Sequence, residues 1–219
     1  MEREIFIVGI TGGMASGKTT IANLVYKLGD CFCIQADQVS REVATDGHPC
    51  FDELVEAFGE GILMPYNQGE IRILNRKALR DLVFANTKEG KANKELLEKI
   101  THKHIHLRTL ELFEEAKKEN KKYVLWDVPL LFEVGWDKLC DEVVVVTCDL
   151  ETRIARALQR DPTLTEDKLR NIIKAQTDDE YRVAKATYVI DNGAEVDSQQ
   201  LEKLAIKLNN YLLNKISQQ

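Results

Sequence analysis

Ile5-Phe6-Ile7-Val8-Gly9-Ile10-Thr11 runs directly into Gly12-Gly13-Met14-Ala15-Ser16-Gly17-Lys18-Thr19, and the reading of this junction decides the fold. The first run is β-branched and apolar, of strand length. The second satisfies G-x-x-x-x-G-K-[ST] in full. At average residue usage, roughly one chain of this length in a hundred would match by chance. A helical stretch from Lys18 to about Leu28 follows, which is the placement the chemistry requires. Glycines let successive N–H groups turn inward around a phosphate, and the helix adds its free N-terminal N–H groups and positive dipole end. Lys18 can then reach the β- and γ-phosphates, and the Thr19 hydroxyl can ligate Mg²⁺. The junction predicts a nucleotide triphosphate site.

Working outward, apolar runs and amphipathic stretches alternate. Cys31 to Ala36 reads as a second buried strand, with Cys31 and Cys33 pointing to one face as core packing. From Val39 to about Asn120 the spacing is mostly helical, as in Phe51 to Phe58 and Glu95 to Glu119. Strands return at Tyr123 to Trp126 and at Val143 to Thr147, runs that suit a parallel sheet covered on both faces. Helical stretches follow at Glu151 to Gln159 and Thr165 to Gln176, the second with capping-box spacing between Thr163 and Glu166. Ala186 to Ile190 is a last strand, Asp191-Asn192-Gly193 its turn, and Val196 to Ile216 a closing amphipathic helix. The alternation predicts an α/β domain with a parallel sheet, interrupted by a helical insertion.

The 219 residues suffice for one substantial core and leave room for a small inserted or appended subdomain. A hydrophobic fraction of 44% with 30% charged residues is ordinary for a soluble protein. The net charge of -6 argues against nucleic acid, which is met by basic surfaces. No apolar run approaches the roughly 18 residues that cross a membrane. The start, Met1-Glu2-Arg3-Glu4, reads as neither a signal nor a transit peptide, and five scattered cysteines match no zinc module. A reduced, cytoplasmic setting is expected.

Ligands of open parallel sheets bind beyond the carboxyl ends of the strands. Asp37 and Asp127 end two of the predicted strands, so either can help hold Mg²⁺ or accept a proton from an attacking hydroxyl. Glu133, just beyond Pro129-Leu130-Leu131-Phe132, is a further candidate. Arg153, Arg156 and Arg160 lie at helical spacing, where any can close over a triphosphate, although a solvated face accounts for at least one. Arg41, Arg76 and Arg108 lie in the insertion, where an acceptor can bind. His102, His104 and His106 alternate, but only His102 and His106 share a helix face and no further ligand completes a metal site.

The assembled set resembles the dephospho-coenzyme A kinase family over nearly the whole chain. The likeness rests on Gly9 to Gly13 with Lys18-Thr19-Thr20, Ala36-Asp37 with Arg41, Gly47-His48-Pro49 and Phe58-Gly59. It continues through Asn75-Arg76 with Leu79, Val83-Phe84, Leu97-Glu98 with Ile100 and His102, and Pro129 to Glu133. Arg156, Gln159-Arg160, Gln176, Ala186 and Ile190-Asp191-Asn192 complete it. The resemblance implies a P-loop, three-layer α/β/α fold with a core at about 1–38 and 121–219. It also implies a helical acceptor subdomain at about 39–120 and a small helical lid at about 151–180.

It further implies ATP and Mg²⁺ and a small-molecule acceptor, dephospho-coenzyme A, phosphorylated on its ribose 3′-hydroxyl; the sequence does not fix the oligomeric state, and a monomer is the expectation. Asp37 would act on that hydroxyl, with Lys18, Arg156 and Arg160 completing the catalytic set. Gly12 through Thr20 would hold the nucleotide, with Asn192 and Gly193 near the adenine. Arg41, Arg76, His102, Arg108 and Glu133 would serve the acceptor, and Thr19 and Asp127 the metal. Three departures stand out: Gln35 in place of a common acidic residue, Met14-Ala15 in place of Ile-Gly, and Lys103 in place of a proline after His102. The lost proline bears on where a helix ends.

Two other readings share parts of this pattern. A kinase for a nucleoside or nucleotide uses the same loop. A GTP switch would carry Asn-Lys-x-Asp, whereas Asn120-Lys121-Lys122-Tyr123 lacks the aspartate.

Overall fold

The computed structural model describes residues 5–218. In chain order its elements are β1 (Phe6–Gly12), α1 (Lys18–Tyr26), β2 (Cys31–Gln35), α2 (Ala36–Val43), α3 (Pro49–Phe58), α4 (Arg76–Val83) and α5 (Lys88–Lys118). There follow β3 (Tyr123–Asp127), β4 (Glu142–Thr147), α6 (Leu150–Arg160), α7 (Glu166–Lys174), α8 (Asp179–Lys185), β5 (Tyr188–Asp191) and α9 (Ser198–Ser217). Two compact units result. One holds the described residues through Gln35 and those from Phe113 on; the other is Ala36–Leu112.

The first unit is built on a parallel sheet of order β2-β3-β1-β4-β5. β1 lies between β3 and β4, so the chain leaves the central strand to one side and later returns on the other. The phosphate loop thus emerges at the carboxyl end where such sheets open a crevice. Alternate side chains of each strand face opposite layers. Phe6, Val8, Ile10, Tyr123, Leu125, Val144 and Val146 pack with Ile21, Val25, Leu208 and Leu212 of α1 and α9. Each such side chain contributes about 1.5–3 kcal/mol when fully buried. On β3 the alternate Trp126 meets Phe113 edge-on at 5.4 Å between ring centroids and stacks on Trp136 at 5.2 Å.

Two polar side chains inside this core, Tyr123 and Asn209, are paired. The Tyr123 hydroxyl donates to Asn209 Oδ1 at 2.6 Å, and Asn209 Nδ2 donates to Asp30 at 2.7 Å. Cys31 is buried and Cys33 half-buried. Burial pushes the Cys31 thiol up to about 12; it raises Cys33 as well, against the opposing pull of the Lys18 ammonium.

In the second unit, α3 starts with Pro49 at its first turn, where a missing N–H costs nothing, and His48 as its cap. α5 runs unbroken through Lys103. Residues 64–75 depart from the helical reading of the insertion. Gly59 and Gly69 take positive φ values of 75° and 91°, and Pro65 supplies no N–H. This segment closes instead through an antiparallel Leu63–Leu74 bridge. Arg72 anchors it, donating to Asp46 from its backbone N at 2.9 Å and its Nε at 2.8 Å, and lying 4.8 Å over the Phe51 ring.

The expected box between Thr163 and Glu166 does not form. Asp161 takes both the backbone N–H and the hydroxyl of Thr163, at 3.1 and 2.6 Å, into a local turn. α7 is capped by Thr165. A reciprocal capping box occurs instead at α9, between Asp197 and Gln200.

Candidate functional site

The loop after β1 is shaped by close approaches that exclude side chains. A Cβ on Gly12 would lie 2.4 Å from the Val146 carbonyl oxygen, which is immovable ladder backbone. Gly17 sits at φ 90° as the N-cap of α1, and a Cβ there would strike Asn192 Nδ2 at 2.1 Å. Asn192 is 2% exposed, and its Nδ2 donates to the Ser16 carbonyl at 2.7 Å. The turn after β5 therefore grips the phosphate loop directly.

No side chain caps α1. Its first-turn N–H groups form the open, positive end that favours an anion. Ser16 Oγ is buried among these groups and has no hydrogen-bond partner within the protein. Lys18 is buried and its Nζ contacts Asp127 Oδ1; the Thr19 hydroxyl donates to Asp127 Oδ2 at 3.2 Å. Thr19 and Thr20 are exposed on the first turn of α1. The donors, the ammonium and the orphaned hydroxyl suit a polyphosphate. The Thr19 hydroxyl beside the Asp127 carboxylate suits a hard divalent cation, whose neighbouring ligands lie about 3 Å apart in an octahedron.

The three arginines of α6 separate cleanly. Arg153 is 3% exposed; its Nε donates to the Met14 carbonyl at 2.8 Å and its Nη1 to Asp179 Oδ2 at 2.8 Å. Arg156 donates to the carbonyls of Asn192 at 2.9 Å and Gly193 at 3.2 Å, so it bears on the turn rather than reaching over the loop. Arg160 is exposed at the last turn of the helix. Glu133 accepts from Thr177 N at 3.1 Å and Arg182 Nη2 at 3.4 Å, and Arg182 Nη1 donates to Asp179 at 2.8 Å. Gln176 Oε1 accepts from Met14 N at 3.0 Å.

Sequence reading singled out neither Asp179 nor Arg182, and placed Gln176 only through resemblance. Their one local signal is the i,i+3 spacing of Asp179 and Arg182. What they hold lies 26 to 162 residues away in the chain.

In the second unit, Asp37 is exposed in the first turn of α2, two residues beyond the end of β2. In the first unit, β2 and β3 are in register at Gln35 and Asp127. Arg41 and Arg76 are exposed, at the last turn of α2 and the first residue of α4. His102 is half-buried on α5, and Arg108 binds Glu42 at 2.7 Å and Glu111 at 3.1 Å. His104 is buried, with its ring edge-on to His48 at 5.5 Å.

A phosphate loop after the central strand of a parallel sheet, with its lysine and threonine on the aspartate of the neighbouring strand, defines a P-loop nucleotide-binding protein. Comparison with known proteins narrows this. The family model for dephospho-CoA kinase (CoaE) matches residues 6–198, and the chain belongs to that family. It is 36% identical to a dephospho-CoA kinase of Corynebacterium glutamicum, over 96% of this chain and 98% of that one. A Haemophilus ducreyi dephospho-CoA kinase is 38% identical, covering 98% of each chain. A solved dephospho-CoA kinase from Campylobacter jejuni superimposes with a TM-score of 0.69 at 27% identity, over 95% of this chain and 98% of that one.

Proposed function

We propose that this chain transfers the γ-phosphoryl group of ATP to the ribose 3′-hydroxyl of dephospho-coenzyme A, giving coenzyme A and ADP, the last step of coenzyme A synthesis. The observation that carries the reading is the intact phosphate loop, with Lys18 and Thr19 both on Asp127, in a chain that matches its family over residues 6–198. The backbone N–H groups of Ala15, Gly17, Lys18 and Thr19 bind the phosphates, and Lys18 leaves part of its contact with Asp127 to neutralise the β- and γ-oxygens. Thr19 and Asp127 are the residues that would hold Mg²⁺, which supplies charge neutralisation across the same oxygens when bound.

Asn192 and Gly193 flank the adenine, steadied by Arg156. Asp37 accepts the hydrogen bond of the attacking hydroxyl and orients it. The new O–P bond forms as the bond to the β,γ-bridging oxygen breaks; the hydroxyl proton passes to the Asp37 carboxylate and on to solvent, and ADP leaves. Arg41, Arg76, His102 and Arg108 bind the acceptor. Arg160, exposed on α6, closes over the transferring phosphoryl group, while Glu133 serves the acceptor by holding Arg182 and Thr177 in place.

ADP formation against a panel of acceptors tests the assignment: dephospho-coenzyme A is expected to turn over, and turnover of a nucleoside alone would reverse it. Asp37→Asn is expected to lower kcat by about 10² or more while ATP still binds, because a positioned base contributes on that order. Unchanged kcat in this variant removes Asp37 from the role.

A further inference from the structure

We infer that Arg153 is a positioning residue for the triphosphate, acting by holding a strained alanine inside the phosphate loop. The inference rests on the nucleotide-binding reading above and concerns what keeps that site in shape. Ala15 has φ 60°, one of two non-glycine residues at positive φ among those described, the other being Asn120 in a turn. In this region the Cβ crowds the neighbouring backbone, a penalty glycine does not carry. Such a conformation persists only where its surroundings over-determine it.

The surroundings do so through Met14. Its N–H donates to Gln176 Oε1 at 3.0 Å, and its carbonyl accepts from Arg153 Nε at 2.8 Å. The carbonyl belongs to the Met14–Ala15 peptide, whose orientation sets the φ of Ala15. The described chain has no cis peptide, so the Ala15 N–H points away from its own peptide's carbonyl, opposite to Arg153. Holding the oxygen on one side therefore aims the N–H on the other. If the carbonyl is released, the peptide can rotate to relieve Ala15, and that N–H turns away from the phosphate.

Arg153 is itself held rigidly. It is 3% exposed, and Asp179 receives both its Nη1 and Arg182 Nη1 at 2.8 Å. Its guanidinium lies so near the loop that a Cβ on Gly13 would sit 2.3 Å from Nη2. A lysine cannot replace this planar fork, because one ammonium cannot span Met14 and Asp179 with the same geometry.

The test is a double-mutant cycle read by calorimetric binding of β,γ-imido-ATP with Mg²⁺, no acceptor present. Arg153→Met is expected to weaken binding about tenfold, and Arg153→Lys by a similar factor. In an Ala15→Gly background, where the torsion no longer needs support, the same changes are expected to cost less than about threefold. Gln176→Ala follows the same pattern and carries the test if Arg153→Met does not fold. In turnover, KM for ATP rises while KM for dephospho-coenzyme A stays within about twofold, a split that general destabilisation would not produce. Equal losses in both backgrounds, or no loss from Arg153→Met, overturn the inference. A wild-type chain that takes up no nucleotide overturns the functional reading beneath it instead.

Discussion

Gly12 has no room for a methyl group because the Val146 carbonyl is 2.4 Å from where its Cβ would be. That oxygen is part of the β1–β4 pairing, so relief requires the central strand to move. Gly12→Ala is expected to destabilise by about 1–3 kcal/mol, typical of overpacking a close-packed site, with a lower midpoint in urea unfolding. Lys18→Ala acts differently, removing the ammonium that lies against Asp127 and that we propose reaches the phosphates. Its kcat/KM should fall by 10² or more, as for loss of a preorganised charge. The two glycines and the lysine are legible in the motif. Asn192 reads from its own segment as a turn residue and from the resemblance as a neighbour of the adenine; its brace on Ser16, 176 residues away, is visible only in the fold.

Helix caps show the same division at the next level up. His48 caps α3 by accepting from Cys50 N at 3.1 Å through Nδ1, which requires the neutral imidazole. Burial first, then the nearby His104 and Arg108, hold its pKa below the ordinary histidine value, against Glu42 and Glu111. The unfolded chain thus takes up this proton at a higher pH than the folded one. Stability from the neutral cap is complete above about pH 6.5 and declines as pH falls below it. His48→Asn keeps a capping oxygen without a titrating group, so it is expected to flatten that decline in thermal unfolding measured from pH 7.5 to 5. A parallel slope in both proteins counts against the cap as its source. The strands and most helices announce themselves by periodicity; the cap of α7 did not, because Asp161 competes for Thr163.

Across the molecule, nucleotide binding and folding are linked. A ligand that binds only the folded chain stabilises it by about 2.7 kcal/mol at a hundred times its Kd. For a chain of this size that corresponds to a rise of about 5–10 °C in the midpoint. MgATP is expected to produce such a shift, and Lys18→Ala and removal of Mg²⁺ with EDTA to abolish most of it. The same rise in the Lys18→Ala protein would place the bound nucleotide elsewhere than the loop.

Period-two and period-3.6 patterns are local, so the order of strands and helices, the insertion and the phosphate loop could be read along the chain. So could the placement of Lys18 and Thr19 at the start of α1, because the spacing of the motif encodes a backbone conformation; Asp127 could be read only as one of two strand-end carboxylates. Folding alone settled the division of labour among Arg153, Arg156 and Arg160, and the placement of Gln176, Asp179 and Arg182 around Met14. Helical spacing makes those arginines near-equivalent in sequence. They differ only in which distant carbonyl or carboxylate the parallel sheet and its crossovers carry within about 3 Å, and hydrogen bonds are decided at that distance.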